Sequence, residues 1–283
     1  MKISVIVPFY NGNQYLESLL SSIERSIVDV DIEIIIVNDS PWVDVILPDT
    51  KLEVRVIKNE KNLGIQGARI NGVKNSIGDW ILMLDQDDNL VEDGFSKQLS
   101  LTENADVVVG NGVYILGDIN KIIYNNLKSM KYLIQEKRFI EIRNLIPSPG
   151  ECLIKKNCIP EVWMNSPMKK NGADDWLLWL MLFKNNARFA CNEQMVYIHN
   201  DAGGANLSAD LNKMYESCYD MVNILSSNNI LTGKEIKRLI HSIDFKYYQD
   251  TKQLTCKMIF KYIDAFISNV LYRITLNIYK RIK

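Results

Sequence analysis

Residues 80–90 read WILMLDQDDNL. An apolar run, Trp80 to Leu84, passes directly into Asp85, Asp87 and Asp88, with Gln86 inside the acidic stretch. A short apolar run of this kind fits a strand buried on both faces, and its abrupt end marks the strand's carboxyl edge. Like charges packed this closely are costly in a folded chain unless something positive joins them. The stretch therefore predicts a buried strand that presents carboxylates at its carboxyl end.

The chain on either side repeats the pattern. Residues 3–7, ISVIV, form a β-branched run stopped by Pro8, and a polar NGN turn leads to QYLESLLSSI, where Tyr15, Leu16, Leu19, Leu20 and Ile23 share one helical face. IEIIIV at 32–37 predicts a second buried strand ending at Asn38–Pro41, and EVRVI at 53–57 a third. GARINGVKNS is helix-like and closes at Gly78; WILML is the fourth strand and ADVVVGN the fifth. Strands alternating with helices predict an α/β fold with a mostly parallel central sheet, right-handed crossovers and helices on its faces. Ligands of such sheets bind outside the carboxyl ends of the strands. Here those ends carry Pro8–Tyr10, Asp39 and Asp85–Asp88.

Composition sets the outer limits. With 47% apolar residues the 283-residue chain can build a full core, and global disorder is excluded. A net charge of −1 gives no reason to expect a nucleic-acid partner. The charge is uneven: residues 251–283 carry +6, so the first 250 carry −7. Five cysteines without metal-type spacing fit a reducing compartment and mostly packed thiols. Pro8 cuts the first apolar run too early for a signal peptide, and no run reaches the ~18 apolar residues of a membrane span, so a cytoplasmic location is expected.

A D-x-D just past a buried strand can hold a hard divalent cation, Mg2+ or Mn2+, through oxygen ligands, leaving positions open for phosphate oxygens. The plainer alternative is a solvated acidic turn in which Asp87 or Asp88 caps a helix. A second acidic pair, Asp174 and Asp175, opens the run DWLLWLML. Trp176 and Trp179 stand three apart on one helical face and are read as core, whereas Trp163 has the better claim to exposure.

Four stretches, in order, resemble family 2 glycosyltransferases: SVIVPFYNGNQYLESLLSSI at 4–23, EIIIVNDSP at 33–41, NLGIQGARINGVKNSIGDWILMLDQDD at 62–88 and NGADDWLLWLML at 171–182. The resemblance covers roughly residues 1–200 and implies the Rossmann-like nucleotide-diphospho-sugar transferase fold, the glycosyltransferase A fold. It implies a catalytic domain over 1–210, with a nucleotide-sugar-binding half at 1–115 and an acceptor-binding half at 116–210. Residues 211–283 then form a helical C-terminal appendage.

The resemblance also assigns roles. Asp39 would read the nucleobase, with Pro8 and Tyr10 lining the pocket, and Arg69 would contact a nucleotide phosphate or the ribose. Asp85 would serve the ribose side and Asp87 the metal. His199 would complete the metal site or touch the diphosphate, and Gly203–Gly204 would form a loop over the donor. Asp175 would be the general base, with Asp174 its partner where the family usually has Glu. After the second strand the family often has Asp-Asp-Gly-Ser; Asn38-Asp39-Ser40-Pro41 keeps one carboxylate and loses the glycine, which leaves the nucleobase preference open.

The implied function is a metal-dependent, inverting transfer of a sugar from a nucleotide-diphosphate sugar to an acceptor hydroxyl. A glycan or lipid-linked glycan acceptor of cell-surface polysaccharide synthesis would suit it. The alternatives are a non-catalytic sugar-nucleotide or glycan-binding protein and a phosphoryl-transfer enzyme with Asp85 as nucleophile. That last chemistry wants its motif after the first strand, which counts against it. In the tail, Met258, Ile259, Tyr262, Ile263, Phe266, Ile267 and Val270 form a stripe at helical spacing among basic residues. It is read either as a peripheral contact with an anionic membrane at its inner face or as packing on protein, a second subunit included.

Overall fold

The computed structural model describes residues 1–27, 29–117, 119–200 and 210–281. Gly203 and Gly204 lie outside the described residues. The chain divides into two compact units. The first comprises 1–124, 148–159 and 187–206, the second 125–147, 160–186 and 207–283.

The first unit is built on β1 (Lys2–Phe9), β2 (Asp31–Asn38), β3 (Val54–Lys58), β4 (Trp80–Met83), β5 (Asn89–Leu90), β6 (Val107–Leu116), β7 (Ile119–Ile122), β8 (Cys152–Lys155) and β9 (Phe189–Asn200). Among the described residues these make one nine-stranded sheet in the order β3-β2-β1-β4-β8-β6-β9-β5, with β7 pairing β6 off this path. β1 to β4, β6 and β9 run one way; β5, β7 and β8 run the other. The expected α/β fold with its mostly parallel sheet is thus present. An antiparallel β8 slips between β4 and β6, which the alternating pattern did not foretell.

The unit's helices are α1 (Leu16–Ser26), α2 (Gly64–Asn75) and α3 (Gly94–Leu99). Ile3, Val5, Val7 and Phe9 alternate along β1 and bury one face against Leu16, Leu19, Leu20 and Ile23 of α1. Each such side chain contributes about 1.5–3 kcal/mol by leaving water. Pro8 sits in a central strand, normally a poor place for a residue without an N–H. Residues two apart point their backbone groups to the same side. Ile6 accepts from Leu84 on the β4 side, so Pro8 faces a stretch where β4 has already ended. The proline closes the ladder and frees the next residues to turn.

The second unit contains α4 (Leu127–Leu133), α5 (Glu136–Glu141), α6 (Glu161–Asn165), α7 (Asp174–Lys184), α8 (Leu211–Ser227), α9 (Gly233–Asp250), α10 (Cys256–Lys261) and α11 (Ile263–Arg281). The chain from 211 to 281 is helical, as expected. Trp176 to Leu182 of α7 are all buried, so this helix is surrounded on every side.

The tail stripe divides. α10 ends at Tyr262, whose φ of −111° and ψ of 40° leave the helical region. Tyr262 is buried beside Phe245, and Met258 and Phe266 pack on the same cluster. Ile263, Ile267 and Val270 are exposed and continue into Leu271, Ile274 and Ile278. Among the described residues no helix is long and apolar enough to cross a membrane. The cysteines are free thiols, but only Cys152 is fully buried, so mostly packed thiols was too strong an expectation.

Candidate active site

Every acidic residue of the D-Q-D-D stretch has a different neighbourhood. Asp85 is half-buried, and its Oδ1 accepts from Nη2 of the buried Arg69 on α2 at 2.6 Å. That guanidinium answers one of the clustered charges. Asp87 has burial and then the charges of Asp88 and Asp85 pushing its carboxyl up to about 6. Asp88 is 1% exposed and fastens the acidic turn to the end of β9. It accepts from the Tyr197 hydroxyl and from the Asn200 amide at 3.1 Å, and Nδ1 of His199 lies 3.1 Å from its Oδ1. Asn200 Nδ2 also donates to the Asp87 carbonyl at 2.9 Å.

His199 rests edge-on against Tyr114, with ring centroids 4.9 Å apart. Burial works against its charged form, but the bond to Asp88 and the charges of Asp88, Asp85 and Asp87 prevail and raise its pKa. The helix-cap alternative for this turn does not form, because Asp87 and Asp88 lead into β5.

Gln86 ties the acidic turn to the end of β1. Its Oε1 accepts from the Tyr10 amide at 2.9 Å, and its Nε2 donates to the Tyr10 carbonyl at 3.1 Å. The Gln86 amide lies over Gly12, where an added Cβ would come within 2.1 Å of Oε1. Gly12→Ala should break this bridge. Net values of about 0.5–1.5 kcal/mol per hydrogen bond put the cost near 1–3 kcal/mol. A lower melting temperature is the expected outcome, read by thermal unfolding.

Asp39 lies at the end of β2 and is buried. Oδ1 accepts from Asn59 Nδ2 at 2.8 Å and from the Leu63 amide at 2.7 Å, while Oδ2 accepts from the Gly64 amide at 2.9 Å. The carboxylate therefore holds the amino end of α2, where the helix dipole favours it. A carboxylate offers roughly four lone-pair sites, which leaves Oδ2 able to accept one more donor. Pro8 is buried, whereas Tyr10 is 49% exposed beside the acidic turn.

In the second unit, Asp174 and Asp175 form the first turn of α7. Gly172 precedes them with φ +129°, a conformation that glycine adopts without strain. Asp174 is buried, and its carbonyl accepts from the Trp163 indole at 3.0 Å. Trp163 is 0% exposed, against the expectation of exposure, because its N–H is needed at this helix start. Trp176 and Trp179 are core residues, as read. Asp175 is half-buried; Asn144 Nδ2 donates to its Oδ2 at 2.8 Å, and the Trp176 amide to its Oδ1 at 2.7 Å.

Sequence reasoning did not single out Gln86, the clamp made by Asp88 and Tyr197, or Asn144. The third acid of the motif was a signal for the clamp; nothing local marks Asn144.

The family profile described as "Glycosyl transferase family 2" matches residues 4–163. The chain belongs to glycosyl transferase family 2. The chain is 33% identical over 116 residues to a dolichol-phosphate mannosyltransferase of Pyrococcus furiosus, covering 39% of this chain and 33% of that one. It is 33% identical over 143 residues to the glycosyltransferase YwdF of Bacillus subtilis, covering 49% and 50%. The chain thus spans between a third and a half of the length of these relatives.

The crystal structure of S. aureus TarS 1-349 in complex with UDP-GlcNAc superposes with a TM-score of 0.64 at 18% identity, over 94% of this chain and 79% of that one. Its complex with UDP gives 0.61 at 16% identity, over 96% and 81%. This family 2 chain therefore shares its fold with that structure.

Proposed function

We propose that this protein transfers a sugar from a nucleoside-diphosphate sugar to an acceptor hydroxyl with inversion, assisted by a divalent cation. The observation that carries the reading is the turn after β4, where Asp85, held by Arg69, stands with Asp87 beside the His199–Asp88 pair, and where burial and the neighbouring acids push the Asp87 carboxyl up to about 6. Such a group is stabilised in its charged form by a cation. The neighbours TarS with UDP-GlcNAc and with UDP support a nucleotide-sugar donor.

The residues present suit Mg2+ or Mn2+. Asp87 and Asp85 offer hard oxygens, and His199, with Nδ1 turned to Asp88, keeps Nε2 for a ligand or a diphosphate oxygen. Among the described residues no three His, Cys, Asp or Glu side chains already converge as a metal cage, and such cations commonly fill their shell with phosphate oxygens and water. When bound, the cation neutralises charge on the departing diphosphate. Arg69 holds Asp85 in place for the ribose side. Asp39, through Oδ2, accepts from the base, next to Pro8 and Tyr10. Asp175 removes the proton from the acceptor hydroxyl as it attacks, Asn144 fixes its orientation, and Asp174 secures the helix start. The test is a panel of nucleotide sugars with Mn2+, read as nucleoside-diphosphate release. Release from at least one donor supports enzymatic transfer; tight binding without release supports a binding protein.

We also propose that α11 lies on an anionic membrane at the cytoplasmic face, where a lipid-linked glycan acceptor would be found. Ile263, Ile267, Val270, Leu271, Ile274 and Ile278 fall within an arc of about 100° on the helix, and all are exposed. Lys257, Lys261, Arg273 and Lys280 are exposed on the same two helices. Removing the tail would strip Tyr262 and Ala265 from the core around Phe245, so point changes are the better probe. Ile267→Glu with Leu271→Glu should abolish sedimentation with anionic vesicles and leave the melting temperature unchanged. Equal sedimentation of both proteins at low salt would refute the membrane contact.

A further inference from the structure

We propose that Trp42 is the platform on which the nucleobase of the donor stacks. The proposal rests on the donor reading above and adds to it a contact outside the acidic motif. Trp42 is 62% exposed, while Trp176, the most open of the other four tryptophans, is 6% exposed. An indole left in water carries a large unburied apolar area, and its ring suits a flat partner.

The backbone that presents it is held from both sides. The Val43 amide donates to the Ser40 carbonyl at 2.9 Å, and Asn38 Nδ2 donates to the Val43 carbonyl at 2.7 Å. Asn13 reaches across from the turn after β1, donating to the Asp44 carbonyl at 3.0 Å and accepting from the Ile46 amide at 2.9 Å. The Asn11 amide donates to Ser40 Oγ at 3.1 Å. The side chain is thus displayed from a fixed turn, and little ordering entropy is lost when a ligand meets it.

Its position selects the ligand. Trp42 meets Tyr10 edge-to-face, with centroids 5.9 Å apart and planes at 88°. The Tyr10 main chain is bridged twice to Gln86, which lies between Asp85 and Asp87. The carboxylates therefore stand at the end of β4, Tyr10 at the end of β1 and Trp42 just beyond β2. These strands are consecutive in the sheet. Two strand spacings are about 10 Å. That is the kind of reach a nucleotide needs to keep its phosphates at the acids and lay its base on the indole. Asp39 supplies at most one further acceptor there, and the indole adds a flat apolar face for the base. A sugar ring could also lie on an indole, but this one stands on the nucleoside side of the acidic turn.

The single exposed indole allows a direct test on the intact protein with Mn2+. Excitation at the red edge during titration with UDP, GDP and ADP should quench the solvent-exposed emission for the nucleotide that binds, and pyrophosphate, which has no base, should not. Trp42→Leu should lose the quench and weaken binding of that nucleotide on the order of tenfold to a hundredfold, the range of aromatic–base stacking. Trp42→Phe should recover most of the affinity. If the nucleotide binds wild type and Trp42→Leu equally and leaves the emission unchanged, the platform is refuted and the donor reading stands. If none of the three binds wild type, both fall. Quenching by N-acetylglucosamine without quenching by any nucleotide refutes the base and gives the indole to a sugar.

Discussion

Asp175→Asn should lower kcat on the order of 10²–10⁴ while leaving the donor's dissociation constant nearly unchanged, the signature of a lost general base. The side chain is presented at the first turn of α7, half-buried and hydrogen-bonded by Asn144, so its orientation is fixed before any acceptor arrives. An amide is nearly the same size and can still pair with Asn144, and the fold should survive. Asn144→Ala should lower kcat less, since it frees the carboxylate without removing it. Steady-state kinetics on both variants, with donor binding measured separately, checks the assignment. Normal turnover by Asp175→Asn would move the base elsewhere.

Asp87→Asn should remove most activity and the cation-dependent part of nucleotide affinity. The pH dependence gives a second readout. Burial and the charges of Asp88 and Asp85 raise the Asp87 carboxyl to about 6, above its ordinary 3.8. A raised carboxyl contributes stability at low pH and loses it as pH climbs through about 6. A bound cation needs the charged form and reverses that loss. The gain in melting temperature on adding Mn2+ should therefore be large at pH 7–8 and shrink as pH falls through about 6. In Asp87→Asn both the cation effect and this pH dependence should be flattened. Full activity in EDTA would contradict the role.

β1, β2 and β4 were legible because they are largely buried on both faces and need nearly continuous apolar runs, as in ISVIV and IEIIIV. β8 is only Cys152–Lys155, too short to carry a period, and pairs with strands distant in sequence. β9 is interrupted by Asn192, Glu193 and Gln194 where its register with β6 shifts, so its alternation is broken just where it would be read. Asp85 and Asp87 could be found from a strand that ends in acids. The cap that Asp39 forms on α2 required the third dimension, since its partners Asn59, Leu63 and Gly64 follow some 20–25 residues later. Trp163 looked free because its partner is a backbone carbonyl 11 residues away. The tail stripe was drawn along one continuous helix; the chain breaks at Tyr262, and Met258, Tyr262 and Phe266 pack inward while Ile263, Ile267 and Val270 stay exposed.

Calorimetric titration of the metal-stripped protein with the diphosphate of the preferred donor, before and after adding Mn2+, tests the central claim most directly. The account predicts weak binding without the cation, binding at least tenfold tighter with it, a difference of about 1.4 kcal/mol, and no such gain in Asp87→Asn. Identical affinity with and without Mn2+ in the wild-type protein would contradict it.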